Sequence, residues 1–350
     1  MTAIAQGEPR KTTAVKSTEA AKGVSALARN YYARLQEAAR AGEPIAWCMV
    51  STPWDIYWAM GIYPAYTEHF ATVCAAKQVG MPFIERAEGM GYANYTCSYA
   101  RTGLGYVSCY QEVGGIPPEA AWGGMPKPTV YVGRGQCEPG YKWYQGMRGY
   151  LDAPIYIFDH KFPLPADLDY HDPEVRKRYV QYELGQIQSC VAFLEKHTGK
   201  KLSLDTLSEV MKKHQQARAL WAEVHKLRRA VPSPMPSGDM TTCIFPGYYL
   251  MGTQEAVDFY RKLRDEVKER VDHGVGVIPD EKYRLLWGGI AQWHNLGFYN
   301  LLESYGAVFV IESNYYRDDF DEVDFSNPLE ALARRYWDEE VKKLERVHAF

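Results

Sequence analysis

Two cysteines stand where a thiol could become a metal ligand. Cys97 lies in the run Tyr95-Thr96-Cys97-Ser98-Tyr99-Ala100-Arg101, where Thr96 or Ser98 is placed to cap a helix. Such a cap puts Cys97 at the helix's positive end, which favours the thiolate, and Arg101 adds to the effect. Cys137 is in the same kind of place, after the loose turn of Gly133 and Gly135 and just before a helical stretch from Glu138. There are seven cysteines and no CxxC pair, so a metal site would have to gather ligands from distant loops. A single thiol in a reducing compartment is more often an inert, buried one. Cys48 inside an apolar strand, Cys190 on a helical face and Cys243 before an apolar loop read as structural. Cys74 and Cys109 fit either reading. Spacing alone defines no cluster.

Glu68-His69 at a helix start would suit acid–base chemistry, or would simply be a solvated first turn. The nine histidines form no HExxH motif, and there is no GxSxG elbow. No GxxxxGK-Ser/Thr phosphate loop occurs either, so ATP hydrolysis is not expected of this chain.

These residues need elements to hold them. Pro44–Val50 reads as a buried parallel strand, followed by Ser51-Thr52-Pro53 and a helix from Trp54 to about Met60, stopped by Gly61. Ile62–Tyr66 is a second strand leading into the Glu68 helix. Thr129–Arg134 and Ile155–Phe158 are further strands, with a helix between them over Glu138–Tyr150. Strand and helix thus alternate from about residue 44 to 160, the pattern of a parallel sheet. Asp172–His197 and the apolar periodicity from Leu202 to Leu227 are helical. Val231–Asp239 is a Pro-rich break, and Thr253–Val271 is helical again. Tyr283–Trp287 and Ala307–Ile311 are strands flanking a helix over Leu296–Ser304, and a last helix starts at Asn327-Pro328.

The expected fold is therefore α/β: two Rossmann- or flavodoxin-like parallel-sheet domains with a helical insert between them. The boundaries are 1–30 for a flexible tail, 31–165 for the first α/β domain, 166–275 for a mainly helical middle region, and 276–350 for the second α/β domain. Ligands bind at the carboxyl ends of strands in such sheets. That rule selects Ser51-Thr52, Cys137, Asp159-His160, Gly288-Gly289 and Glu312. The second α/β domain stops after one helix where a further strand is due, which suggests a truncated chain.

Bulk composition narrows the classes. The 350 residues are 46% hydrophobic and 24% charged, which is globular, and the net charge of −3 offers no basic surface for nucleic acid. No apolar run reaches transmembrane length and the first residues carry no secretory core, so a cytoplasmic protein with reduced thiols is expected.

Taken together, the motifs resemble one family. Ser51-Thr52-Pro53 followed by Ala59-Met60-Gly61-Ile62-Tyr63-Pro64 resembles the first strand-and-helix signature of the 2-hydroxyacyl-CoA dehydratase and benzoyl-CoA reductase family. Cys97-Ser98-Tyr99-Ala100-Arg101 looks like its first cluster-ligand motif, and Pro128–Cys137 with Lys142 and Tyr144 its second. Arg284-Leu285-Leu286-Trp287-Gly288-Gly289, with Trp293, Leu296, Glu303, Gly306-Ala307 and Val310, resembles its later α/β domain. These anchors span about residues 44 to 345.

The resemblance implies an oxygen-sensitive 4Fe–4S cluster held by three cysteines, with Cys97 and Cys137 as two of them. It also implies an acyl-CoA substrate, a homologous core subunit, an ATP-hydrolysing iron–sulfur activator and ferredoxin as electron source. Ser51 then donates to the thioester oxygen and Glu68 moves a proton. The third ligand has no good match, because the family places it beyond the last helix here; Cys190, Cys243 or a non-cysteine group would otherwise have to stand in. Trp287-Gly288-Gly289, Val308–Ser313 and the aromatic residues Trp54, Tyr57, Trp58, Tyr63 and Tyr66 lean towards benzoyl-CoA reductase in anaerobic aromatic degradation. A 2-hydroxyacyl-CoA dehydratase subunit and a non-catalytic partner subunit are the alternatives within the family. Outside it stands a Rossmann-like binding protein with inert cysteines.

Overall fold

A computed structural model describes residues 12–159, 169, 171–317 and 323–349. Helix α1 (Glu19–Arg40) opens the described chain, and here the expected tail is overturned. Thr18 caps it, its Oγ1 accepting from Ala21 N–H at 3.2 Å, while Ala20, Ala21, Val24 and Ala28 bury one face. The cap is anchored by Asp239, whose carboxylate accepts from both Ser17 and Thr18 N–H. A polar, alanine-rich segment thus becomes helix because a distant carboxylate takes its free donors.

The first sheet follows the expected alternation. It comprises β1 (Ile45–Cys48), α2 (Trp54–Met60), β2 (Tyr63–Tyr66), α3 (Thr67–Ala76), α4 (Met81–Gly89), α5 (Ser98–Val113), β3 (Val130–Arg134), α6 (Glu138–Arg148) and β4 (Ile155–Phe158). Its four strands are parallel in the order β2-β1-β3-β4. The chain runs outwards from β1 to β2 and then returns to β1's other side for β3. The crevice between the ends of β1 and β3 is therefore the switch point where such sheets bind ligands. Both strands are buried along their length, as the apolar runs require.

Helices α7 (Pro173–Thr198), α8 (Leu204–Leu227), α9 (Ser237–Tyr249) and α10 (Gln254–Asp272) come next. α9 is a correction. The Pro-rich break ends at Pro236, and Cys243 sits inside a helix rather than before a loop. α9 is buried on nearly every side and contains Pro246, so its sequence shows no amphipathic period. A second, two-stranded parallel sheet is formed by β5 (Tyr283–Trp287) and β6 (Ala307–Glu312). The single helix expected between them is instead a 3-10 turn at Trp293–Asn295, a short α11 (Phe298–Leu301) and a second 3-10 turn. α12 (Pro328–Ala349) packs back against α7 and α8. No helix among the described residues is long and apolar enough to cross a membrane.

Buried charges tie these layers together. Asp55 on α2 meets His214 Nδ1 of α8 at 2.9 Å and the Arg335 guanidinium of α12. Arg228, just past α8, makes a two-pronged pair with Glu312 at 2.7 and 2.8 Å. Glu312 is fully buried there, so this strand-end carboxylate, expected among the ligand positions, is a structural anion.

Candidate functional site

Three adjacent strands end at one edge, and each delivers a residue of interest. Ser51 follows β1, Glu68 opens the helix after β2, and Cys137 follows β3. The Glu68 carboxylate accepts from Val50 N–H at 2.6 Å, which ties it to the segment just before Ser51. Ser51 does not cap α2; its Oγ is buried and has no hydrogen-bond partner among the described residues. An unpaired buried hydroxyl is costly, and a ligand acceptor would satisfy it. Behind Glu68, Thr67 Oγ1 and Tyr144 Oη share a 2.7 Å hydrogen bond, fixing the start of α3 against α6.

Cys97 and Cys137 occupy equivalent positions: each is the N-cap residue of a helix, α5 and α6 respectively. Neither Thr96 nor Ser98 caps α5. Thr96 Oγ1 bonds Ala93 O at 2.8 Å, and Arg101 is taken by Glu88 and by Thr96 O rather than by the thiol. The two helices lie side by side because α5 carries glycine at the contact. A Cβ at Gly103 would lie 2.5 Å from Trp143 Nε1 of α6. The loop before Cys137 is as tight, since Tyr141 covers Gly135 and Gly140 abuts the Arg134 carbonyl. Gly103→Leu should therefore push α6 off α5 and cost about 1–3 kcal/mol in urea unfolding.

The electrostatics join the same residues. Burial raises the Glu68 carboxyl to about 7, against the Val50 N–H, which lowers it. Cys137 is exposed on its outer side, yet partial burial raises its thiol; the Gly140 N–H opposes this, while Glu68, Cys97 and Glu138 raise it further. The thiolate expected at a helix N-terminus is therefore not favoured at Cys137. Glu68 and Cys97 thus both act electrostatically on the Cys137 thiol. Tyr99 faces the same group and approaches Trp293 without reaching hydrogen-bond geometry.

The remaining candidates lie elsewhere. Cys48, Cys74, Cys190 and Cys243 are buried, and burial raises each thiol. Cys109 is twelve residues along α5 from Cys97, about 18 Å at helical rise. Among the described residues no three His, Cys, Asp or Glu side chains form a metal-holding group, so Cys190 and Cys243 do not complete a triad. Asp159 accepts from Tyr141 and Tyr182 hydroxyls, and His160 lies outside the described residues. Gly288 and Gly289 are exposed beyond the second sheet. The aromatic stripe is largely core: Tyr57 and Tyr66 are fully buried, and Trp54 stacks on His214 at 5.6 Å. Sequence reading missed the Thr67–Tyr144 bond and the Gly103–Trp143 contact. Glycines at 103 and 105 within a helical run are the available signal for the latter.

Fold and site thus define an α/β protein with a cysteine at the N-cap of each of two packed helices, one of them, Cys137, at a parallel-sheet switch point. The model of the 2-hydroxyglutaryl-CoA dehydratase D-component family matches residues 49–344, and the chain belongs to this family of 2-hydroxyacyl-CoA dehydratase and benzoyl-CoA reductase subunits. It is 31% identical to the (R)-phenyllactyl-CoA dehydratase alpha subunit of Clostridium sporogenes over 73% of this chain and 60% of that one. It is 28% identical to the (R)-2-hydroxyisocaproyl-CoA dehydratase alpha subunit of Clostridioides difficile, covering 80% of this chain and 66% of that one. A benzoyl-CoA reductase subunit of Thauera aromatica matches at 26%, over 73% and 60%. The chain therefore spans just under two thirds of the length of these relatives. The lean towards benzoyl-CoA reductase is not specifically supported: the two dehydratase subunits above match at 31% and 28% against 26%, and of the aromatic residues that supported it Tyr57 and Tyr66 are buried in the core.

Proposed function

We propose that the chain is an alpha-type core subunit of a 2-hydroxyacyl-CoA dehydratase. Cys97 and Cys137 hold a 4Fe–4S cluster next to an acyl-CoA thioester, and Ser51 and Glu68 act on the substrate. The reading is supported by the positions of Ser51, Glu68 and Cys137 just after β1, β2 and β3, with Cys97 and Cys137 each at a helix N-cap. Cys97 and Cys137, neither of them fully buried, would supply two of the cluster's ligands, and no third His, Cys, Asp or Glu side chain joins them among the described residues. When bound, the cluster supplies low-potential electrons one at a time.

The chain's own residues do the rest. Ser51 Oγ–H donates to the thioester oxygen, where negative charge builds, and so gains the partner it lacks. Glu68, with its proton half-bound near neutral pH, takes a proton from the substrate and returns one to the departing hydroxyl. The reaction removes hydroxide from C2 and a proton from C3, giving an enoyl-CoA and water. No electrons are consumed overall, so reductant is needed only to start and restart turnover. The same reading brings with it an ATP-hydrolysing iron–sulfur activator and ferredoxin as electron source, a homologous core subunit and a cytoplasmic location.

The test is to supply the anaerobically purified complex with a 2-hydroxyacyl-CoA and, separately, with benzoyl-CoA. Enoyl-CoA formation with far less than one electron per turnover is the expected result. Ring reduction with stoichiometric electron uptake and no dehydration would overturn it.

A further inference from the structure

A cavity of about 150 Å³ lies between the segment 12–16, α1, α3, α9 and the 3-10 turn at Trp293, and it borders the reaction site through His69, the neighbour of Glu68. Ser51, Glu68, Cys97 and Cys137 do not line it. Trp122, Phe245, Ile244 and Leu296 give it apolar walls. A void of roughly this size holds one benzene-sized ring.

Its charged lining is of one sign. Lys16 and Lys77 border it, with no Asp or Glu. Neither lysine forms a salt bridge to a described residue, and Lys77 rests its ammonium over the Trp122 ring at 5.4 Å. Lys16 is partly buried, and its amine is pushed down by burial and by Lys77, against the opposing pull of Cys243 and Asp239. Asp239, which accepts from the Ser17 and Thr18 donors, does not line the cavity, but its pull on Lys16 remains. His69, also in the lining, is held neutral by burial, which lowers it to about 3, so it adds no charge. Trp293 Nε1 is buried with no acceptor among the described residues. Lys16 is partly buried and Lys77 lies exposed at the edge of the cavity, so an anion entering it would meet two ammonium groups beside apolar walls.

The wall carrying Lys16 is built rather than loose. Gly297 N–H donates to Thr12 O at 3.0 Å, and Val15 N–H to Asn300 Oδ1 at 2.8 Å. We propose that this cavity binds a small organic carboxylate whose body is a single ring or a short branched alkyl group, with the carboxylate between Lys16 and Lys77. This goes beyond the dehydratase reading and does not depend on a cluster.

The test is calorimetric titration of the full chain, purified in air, with 3-phenylpropionate and with the neutral 3-phenylpropanol. The acid should bind at least ten-fold more tightly than the alcohol. The Lys16→Met/Lys77→Met double variant should remove that ten-fold preference, and Ala76→Phe, which fills the cavity, should abolish binding of both. Cys137→Ala should bind as wild type, which separates this site from the proposed reaction site. Thermal melting of each variant confirms that it is folded. Equal affinity for acid and alcohol would overturn the proposal. So would undiminished binding by folded Ala76→Phe, or loss of binding in Cys137→Ala.

Discussion

Glu68→Gln is expected to lower kcat for dehydration by about 10²–10⁴-fold, the usual contribution of a positioned acid–base group. Glutamine keeps an oxygen to accept from Val50 N–H, so the segment beside Ser51 stays in place while the transferable proton is lost. The same substitution has an opposite effect on stability. In the folded chain burial raises this carboxyl from 4.5 to about 7. Between those values the folded state holds a proton that the unfolded state has released, so wild-type stability falls as pH rises through this window. The loss amounts to roughly 3 kcal/mol once the pH is well above 7. The glutamine variant lacks this penalty. It should therefore unfold at a higher urea concentration than wild type at pH 8 and match it more closely at pH 5. Loss of activity together with a gain in stability at pH 8 would mark Glu68 as a functional rather than a structural carboxyl.

Arg228→Met should destabilise the fold by about 3–5 kcal/mol, because it leaves Glu312 buried without its cation. Arg228 also donates to Met235 O, which would then keep only the longer Ser233 Oγ–H contact at 3.4 Å. Replacing both charges, as Arg228→Met/Glu312→Leu, should recover most of the loss, since the two desolvation costs vanish together. Urea unfolding of the single and double variants measures this directly. A single variant as stable as wild type would mean that the pair is not closed in solution.

Much of the first sheet was legible because its strands are short apolar runs and its helices have stop signals, such as Gly61 at φ 65°. Ser51 and Cys137 could be placed at strand ends by the switch-point rule, whereas Glu68 was read only as a helix start and reached the site through the family resemblance. What the sequence hid depends on residues far apart in the chain. Glu312 reads as a ligand position until Arg228, 84 residues away, closes on it. The segment before α1 reads as a tail until Asp239, more than 220 residues on, accepts its amides. α9 escaped for another reason: a helix buried all round has no polar face and so no period to detect. Arg101 was misjudged because a guanidinium next to a thiol in sequence has a closer partner in Glu88 on the neighbouring helix.

The dehydratase reading stands or falls with Cys97 and Cys137 as ligands of one cluster. Anaerobic purification of the chain with its core partner, followed by iron and sulfide analysis of wild type, Cys97→Ala and Cys137→Ala, puts that ligation to the test. Iron and sulfide are expected in wild type and should be lost from both variants, with the fold retained. Wild type without iron, or variants that keep it, would contradict the assignment of these two thiols.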